Sequence, residues 1–323
     1  MKLRHVVFSA MATVVTMALA SAAAQAQDYP TKPIRLVTVE AGGGNDSIAR
    51  LIGLFLSPGL GQNIVVDNRG GANGILAVDN VAKAAPDGYT LLSYSGAMWT
   101  LPFMRSVPYD SIRDFSPISL AVISPNVLVV HPSLPVTNVR ELIAYAKAKP
   151  GELNYASVAS GSSGHLTSEL FKSMAGVDIV RVLYKGGGPA MTDLVSGRVQ
   201  VSFSSAASAM RFVQSGKLRA LAVSSARPST LAPGIPPVAT EGLPGFDMAA
   251  QYGLFAPAKT PTAIINRLHQ ETVKSLNTPQ AREQFSKQGT EVVASSPQEL
   301  AALVKNEQSK LGKLIKDAGI TSD

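Results

Sequence analysis

The chain has 323 residues, of which 46% are hydrophobic and 16% charged, and it has no cysteine. The lack of cysteine excludes disulfides, thiolate metal sites, cysteine nucleophiles and a lipid-anchored amino terminus. A formal charge of +7, with no dense Lys/Arg run interleaved with aromatics, describes a mildly basic surface and argues against nucleic acid as a partner, while leaving room for a basic cleft that takes a small anion.

Residues 1–26 read as a cleaved signal peptide. Lys2, Arg4 and His5 form a short basic start, an apolar run follows, and Ala24-Gln25-Ala26 offers small residues for cleavage. The run is short for a membrane span. Its removal leaves 297 residues with a formal charge of +5, enough for one large or two medium domains. No later uncharged apolar run is long enough to span a bilayer, so the expectation is a soluble, exported protein.

Short apolar or β-branched runs then alternate with helical patterns. Strands are expected at 34–39, 62–67 and 89–94, with helices at 44–56, stopped by Ser57-Pro58-Gly59, and at 73–85. This βαβαβ order argues for a parallel sheet covered by helices on both faces. Residues 117–131 (PISLAVISPNVLVVH) are almost continuously strand-like. They are two strands meeting at Ser124-Pro125 or one segment crossing between lobes. Asn138 is placed to cap a helix, with Glu141 completing a capping box. Strands at 153–157, 179–184, 198–204 and 217–224 alternate with helices at 164–175, 189–196 and 206–215. Gly176 and Gly197 stand where helix ends favour a left-handed residue. A Pro- and Gly-rich connection at 227–244 leads to a strand at 251–256. Three helices follow, each expected to start with a cap and a proline: Thr260-Pro261, Thr278-Pro279 and Ser296-Pro297. Glu299 completes a capping box with Ser296.

The fold class is therefore α/β, with two βα blocks and a carboxyl-terminal helical block. If 117–131 and 217–225 both cross between lobes, the last block returns to the first lobe. Lobe 1 is then 28–122 plus 226–323 and lobe 2 is 123–225, with a cleft at the carboxyl ends of the strands.

Five loops share a small, polar, Gly- and Ser-rich composition: 41–47 (AGGGNDS), 93–100 (SYSGAMWT), 157–165 (SVASGSSGH), 184–189 (YKGGGP) and 202–208 (SFSSAAS). Most abut a helix amino terminus, where unpaired amides and the helix dipole favour an anion. Singly, each is an ordinary turn with a serine cap. Five in one exported chain point to a site for a small anion.

Catalytic patterns are weaker. Gly161-Ser162-Ser163-Gly164 lacks the Gly-x-Ser-x-Gly spacing of a nucleophile elbow. His165 reads as a first-turn helix residue near the cleft and not as a general base. No clustered His, Asp and Glu suggest a metal, and neither a dinucleotide fingerprint nor a phosphate-binding Gly-Lys-Ser/Thr is present, so no cofactor is expected.

The loops, in this order, resemble one family. Its marks are Tyr29-Pro30-Thr31-Lys32-Pro33-Ile34, Asp67-Asn68-Arg69-Gly70-Gly71-Ala72, Ala84-Ala85-Pro86-Asp87-Gly88-Tyr89-Thr90 and Pro108-Tyr109-Asp110. They continue with Leu153-Asn154-Tyr155-Ala156-Ser157, Gly161-Ser162-Ser163-Gly164-His165-Leu166, Tyr184-Lys185-Gly186-Gly187, Tyr252-Gly253-Leu254 and Ala256-Pro257. The sequence is identified as similar, over essentially the whole mature chain, to the periplasmic solute receptors of tripartite tricarboxylate transporters, also called Bug receptors. The resemblance implies a two-lobed, type II-like periplasmic-binding-protein fold that closes on a small carboxylate and passes it to a membrane permease pair. It also implies a monomer without catalysis, whose cleft loops hold the carboxylate through backbone amides and hydroxyls, partly through water. Carried onto this sequence, the ligand-binding residues are Gly43, Gly44, Asn45, Ser95, Gly96, Ser162, Ser163, Gly164, His165, Gly187, Ser204 and Ser205.

Two positions depart from the family's pattern. Glu40 replaces a neutral residue at the end of the first strand, where it either selects ligand charge or turns outward. Ser204-Ser205 stands where Asp or Asn is common. Two other readings remain open: a sensor that delivers its ligand to a signalling partner, and a secreted hydrolase using Ser162 or Ser163.

Overall fold

The computed structural model describes residues 29–39, 41–158 and 161–321; the signal segment 1–26 and Glu40 lie outside the described residues. Among the described residues, ten strands form one sheet, eight of them on the path β2-β1-β3-β9-β4-β7-β5-β6, with β8 and β10 paired to β4 off it. These are β1 (Ile34–Thr38), β2 (Ile64–Asn68), β3 (Thr90–Ser95), β4 (Phe115–Val130), β5 (Asn154–Ser157), β6 (Val180–Leu183), β7 (Val201–Ser205), β8 (Arg219–Val223), β9 (Ala249–Pro257) and β10 (Glu291–Val292). The pairs β1/β2, β1/β3, β5/β6 and β5/β7 are parallel, while β3/β9 and every partner of β4 are antiparallel. The mixed α/β class read from the alternation is the class observed.

The ambiguity at 117–131 resolves into one strand of 16 residues. It changes neighbours along its length. Residues from Phe115 to Pro125 pair with β9, whereas residues from Asn126 to Val130 pair with β7. On its other edge β10 reaches Ile123 and β8 begins at Val127. The exchange falls at Pro125, which has no amide to donate to a ladder. Asn126 restores the network: its N–H donates to Ser224 Oγ, and its carbonyl accepts from the Ser224 amide, both at 2.8 Å.

The helices are α1 (Gly44–Leu60), α2 (Ile75–Ala82), α3 (Ala97–Thr100), α4 (Val139–Ala148), α5 (Ser163–Ala175), α6 (Gly187–Val195), α7 (Ala206–Gln214), α8 (Thr262–Leu276), α9 (Pro279–Lys287) and α10 (Pro297–Asp317). Several differ from expectation. Helix α1 runs through Pro58 and ends at Gly61, whose φ is +67°. Pro58 stands in the last turn, where it has no amide to offer the Leu54 carbonyl, and Ser57 Oγ donates to the Gly53 carbonyl one residue earlier. Helix α2 starts later than position 73, because Ala72 and Asn73 adopt φ of 49° and 55° within a short 3₁₀ turn. Thr260 does not cap α8; its hydroxyl donates to the Pro257 carbonyl, and Pro261 takes the cap position. Glu141 accepts from the Thr137 amide, so Asn138 supplies the cap alone. Thr278 caps α9, and the Ser296/Glu299 capping box forms at α10.

Four buried clusters fill the two faces of the sheet. Ile34, Leu36, Ile52, Leu56, Leu268 and Phe285 form one, and Val37, Trp99, Tyr109, Phe115, Phe255 and Val304 another. Leu128, Tyr155, Phe171, Phe203, Phe246 and Leu311 form the third, and Val127, Met191, Leu194, Ala209 and Val223 the fourth. Helix α10 links two of them. Its 21 residues span about 30 Å; Leu300 and Val304 pack in the second cluster, and Leu311, Leu314 and Ile315 in the third.

Candidate ligand-binding site

The chain enters α5 through Gly161 (φ +74°) and Ser162. Ser162 Oγ accepts from the His165 amide at 3.3 Å, a serine cap whose neighbouring first-turn amides have no partner within the helix. Gly164 lies in the first turn for a packing reason. A Cβ there would come within 2.7 Å of the Phe203 carbonyl, so only glycine lets α5 lie this close to β7.

Two cavities open on this turn, and Ser162 and Ser163 line both. The first, of about 280 Å³, is walled by the ends of β5 and β7 and the starts of α5 and α6. Among the described residues, seven serines line it (157, 162, 163, 202, 204, 205 and 208), together with Asn126, Gly164, Gly187 and Met191, and no charged side chain does. Hydroxyls pair along its wall: Ser202 with Ser204, and Ser205 with Ser208, each at 2.9 Å. Asn126 Nδ2 donates to Ser163 Oγ at 2.9 Å and to Thr167 Oγ1 at 3.1 Å. Ser157 is 3% exposed and its Oγ is buried without a partner.

The second cavity, of about 210 Å³, lies among Ser95, Gly96, Trp99 and Thr100, the α5 start, the first residues of β9, and Glu307 and Leu311 of α10. The Gly96 amide is held by the Gln251 carbonyl at 2.9 Å. Burial raises the pKa of the Tyr252 phenol. Burial also raises the Glu307 carboxyl above its ordinary range; Lys310 opposes that shift and Asp247 adds to it.

The residues expected from sequence divide into groups. Ser162, Ser163, Gly164, Gly187, Ser204 and Ser205 line the first cavity, and Ser95 and Gly96 line the second with Ser162 and Ser163. Gly43, Gly44 and Asn45 line neither. Gly44 stands beside the second: a Cβ there would be 3.4 Å from Tyr252 Oη. One amide of the loop before α1 is taken within the chain. Asp46 Oδ2 accepts the Gly42 amide at 2.8 Å, and Oδ1 accepts from Asn68 at 3.0 Å and pairs with Arg50 at 2.9 Å. Burial pushes the Asp46 carboxyl up, but these donors outweigh it and hold the pKa below 3.8. His165 lines a different cavity, with Glu169, Lys172 and Arg181, and its Nδ1 accepts from the Gly161 amide at 3.0 Å. It shapes the loop as an acceptor.

Asn126, Gln251 and Glu307 were not singled out from sequence. Asn126 sits inside a strand-like run, and Glu307 on a helix where an acidic residue reads as surface. Among the described residues no group of His, Cys, Asp and Glu is arranged to hold a metal, and no helix is long and apolar enough to cross a membrane.

A mixed sheet flanked by helices, with cavities at Gly/Ser-rich strand ends, has the form of a periplasmic solute-binding protein, and comparisons with known proteins agree. Residues 48–320 match the model of the tripartite tricarboxylate transporter family receptor. The chain is 38% identical to the UPF0065 protein in the tcbD-tcbE intergenic region of Pseudomonas sp. strain P51, over 93% of this chain and 91% of that one. It is 36% identical to protein BugT of Bordetella pertussis, over 93% of each. Among solved structures, R. palustris Rpa4515 with adipate is 37% identical with a TM-score of 0.72, covering 91% of this chain and 99% of that one. MatC from Rhodopseudomonas palustris with bound malate is 30% identical with a TM-score of 0.67, covering 89% and 100%. The chain belongs to the tripartite tricarboxylate transporter receptor family, a family of solute-binding type.

Proposed function

We propose that this chain is a periplasmic receptor that binds a small carboxylate and delivers it to the permease subunits of a tripartite tricarboxylate-type transporter, acting as a monomer and without catalysis. The observation that carries this reading is the shared wall of Ser162 and Ser163 at the start of α5, next to a cavity whose described lining holds seven serines and no charged side chain. Hydroxyls and first-turn amides there donate to a carboxylate with no cation needed. Relatives solved with adipate and malate support the ligand class.

The two-lobe division proposed is 28–122 plus 226–323 and 123–225. The exchange of partners at Pro125 on β4 supports a crossing at that point. Gly43, Gly44 and Asn45 remain proposed as a facing loop that approaches when the lobes close, and Glu40 as a selector of ligand charge.

Calorimetric titration of Ser162→Ala and Ser163→Ala with small mono- and dicarboxylates tests the reading. Each lost hydroxyl bond to a charged carboxylate costs about 1.5–3 kcal/mol, roughly ten- to a hundredfold in affinity. Unchanged affinity in both variants, or labelling of either serine by a fluorophosphonate probe, overturns it.

A further inference from the structure

Glu307 occupies an unusual place for a carboxylate. Leu300, Val304, Glu307, Leu311 and Leu314 repeat at three- and four-residue intervals along one stripe of α10, and all five are buried, Glu307 with 9% exposure. Four of the five are leucine or valine packed in the clusters that the helix joins. A carboxylate on such a stripe is costly unless something compensates it. Its ion-pair partner Lys310 stands 3.7 Å from Oε1 and donates a hydrogen bond to the Asp247 carbonyl. What Glu307 does face is the 210 Å³ cavity, which it lines together with Ser162, Ser163 and Gln251.

That cavity has two chemically different ends. The start of α5 offers amides and hydroxyls and the positive end of a helix dipole, which suits a carboxylate. Glu307 offers acceptor oxygens and negative charge, which suit a donor or a cation and repel a second carboxylate. We propose that Glu307 is a specificity-determining residue, and that the preferred ligand is a small carboxylate carrying an ammonium or hydroxyl group at its far end. The inference rests on the carboxylate reading above and adds the chemistry of the other end.

Lys310 offsets part of the Glu307 charge and Asp247 adds to it, and the other described residues that line the cavity are uncharged. The β3–α3 segment contributes Ser95, Gly96, Trp99 and Thr100, and the α5 start contributes Gly161, Ser162, Ser163 and Leu166. His165 gives its ring nitrogen to the Gly161 amide. From the β9 side come the neutral Gln251, the Tyr252 phenol and, just before the strand, Asp247, whose charge adds to that of Glu307; Lys310 on the same helix opposes it. The raised pKa of Glu307, set mainly by burial, fits a carboxyl group that a ligand ammonium would return to its charged form.

The test is calorimetric titration of wild type and Glu307→Gln with matched four- and six-carbon acids ending in an ammonium, a hydroxyl, a methyl or a second carboxylate. Wild type should bind the ammonium- or hydroxyl-ended acid at least about tenfold tighter than the diacid. Glu307→Gln should lose about tenfold on the ammonium-ended acid and gain several-fold on the diacid. An unchanged ranking in the variant, or a wild-type preference for the diacid, overturns the proposal. Should Glu307→Gln fail to fold, wild type alone decides. If Ser162→Ala weakens binding while the Glu307 criteria fail, only this inference falls. If none of the acids binds wild type, the carboxylate reading falls and this inference with it.

Discussion

Asn126 Nδ2 donates to Ser163 Oγ at 2.9 Å, tying the point where β4 exchanges neighbours to the first residue of α5. Asn126 is 5% exposed, and its second amide proton goes to Thr167. Both donors of one side chain therefore hold the helix start against the strand. Asn126→Asp keeps the shape, removes both donors and adds a charge beside the cavity.

Asn126→Asp is expected to abolish carboxylate binding while leaving the fold intact enough to purify. A new carboxylate about 4 Å from a bound one, at an effective dielectric constant near 20, opposes it by about 4 kcal/mol, close to a thousandfold. Titration with any carboxylate that binds wild type checks this. Affinity within threefold of wild type would place the ligand carboxylate far from the α5 start.

Gly164→Ala should destabilise the protein through packing. The new Cβ would stand 2.7 Å from the Phe203 carbonyl, a backbone atom in β7 that moves only with the strand. Overpacking of this kind costs about 1–3 kcal/mol. Urea unfolding should show a lower midpoint with an unchanged slope. Gly187→Ala is the control, since a Cβ at Gly187 meets nothing within 4 Å; equal losses in the two variants would refute the packing argument.

Asp46→Asn should lower stability at neutral pH and cease to matter in acid. The folded-state pKa of Asp46 lies below its ordinary 3.8, since donation from Gly42, Asn68 and Arg50 outweighs burial. A depressed carboxylate pKa contributes stability above the unfolded value, and that contribution is lost as pH falls through the folded value. The melting difference between wild type and Asp46→Asn should therefore be constant near neutrality and close below about pH 3.8. A difference independent of pH would mean that the asparagine disturbs packing alone.

Local signals in the sequence carried through where their partners were close in the chain. Ser162, Ser296 and Thr278 cap the helices that follow them, and Gly176 ends a helix in the left-handed conformation. The Gly/Ser loops at 93–100, 157–165 and 202–208 were legible as cavity walls because composition at strand ends is a local property. Long-range facts were not legible. Nothing near Pro125 says that β9 leaves and β7 arrives there. The AGGGNDS loop looked like an open anion cradle, yet Asp46 inside it takes the Gly42 amide. The family resemblance put His165 among the ligand contacts, but it lines another cavity. Glu307 belongs to the same class: helical spacing marks its stripe, and only the two cores packed against α10 show that the stripe is buried there.

The stability of the protein should itself report the cost of placing Glu307 on that stripe. Its folded-state pKa is raised above the ordinary 4.5, chiefly by burial, with Asp247 adding to the shift and Lys310 opposing it. A carboxyl group with a raised folded pKa makes its favourable contribution below the unfolded value, where it is protonated in both states. That contribution is lost as pH rises through the folded value. Glutamine has nearly the same shape and no charge, so Glu307→Gln escapes the loss. The variant should melt at the same temperature as wild type near pH 4 and at a higher temperature near pH 8, in the absence of ligand. Differential scanning calorimetry across that range checks the sign. A variant less stable than wild type at about pH 8 would mean that the pair with Lys310 outweighs the burial of the charge.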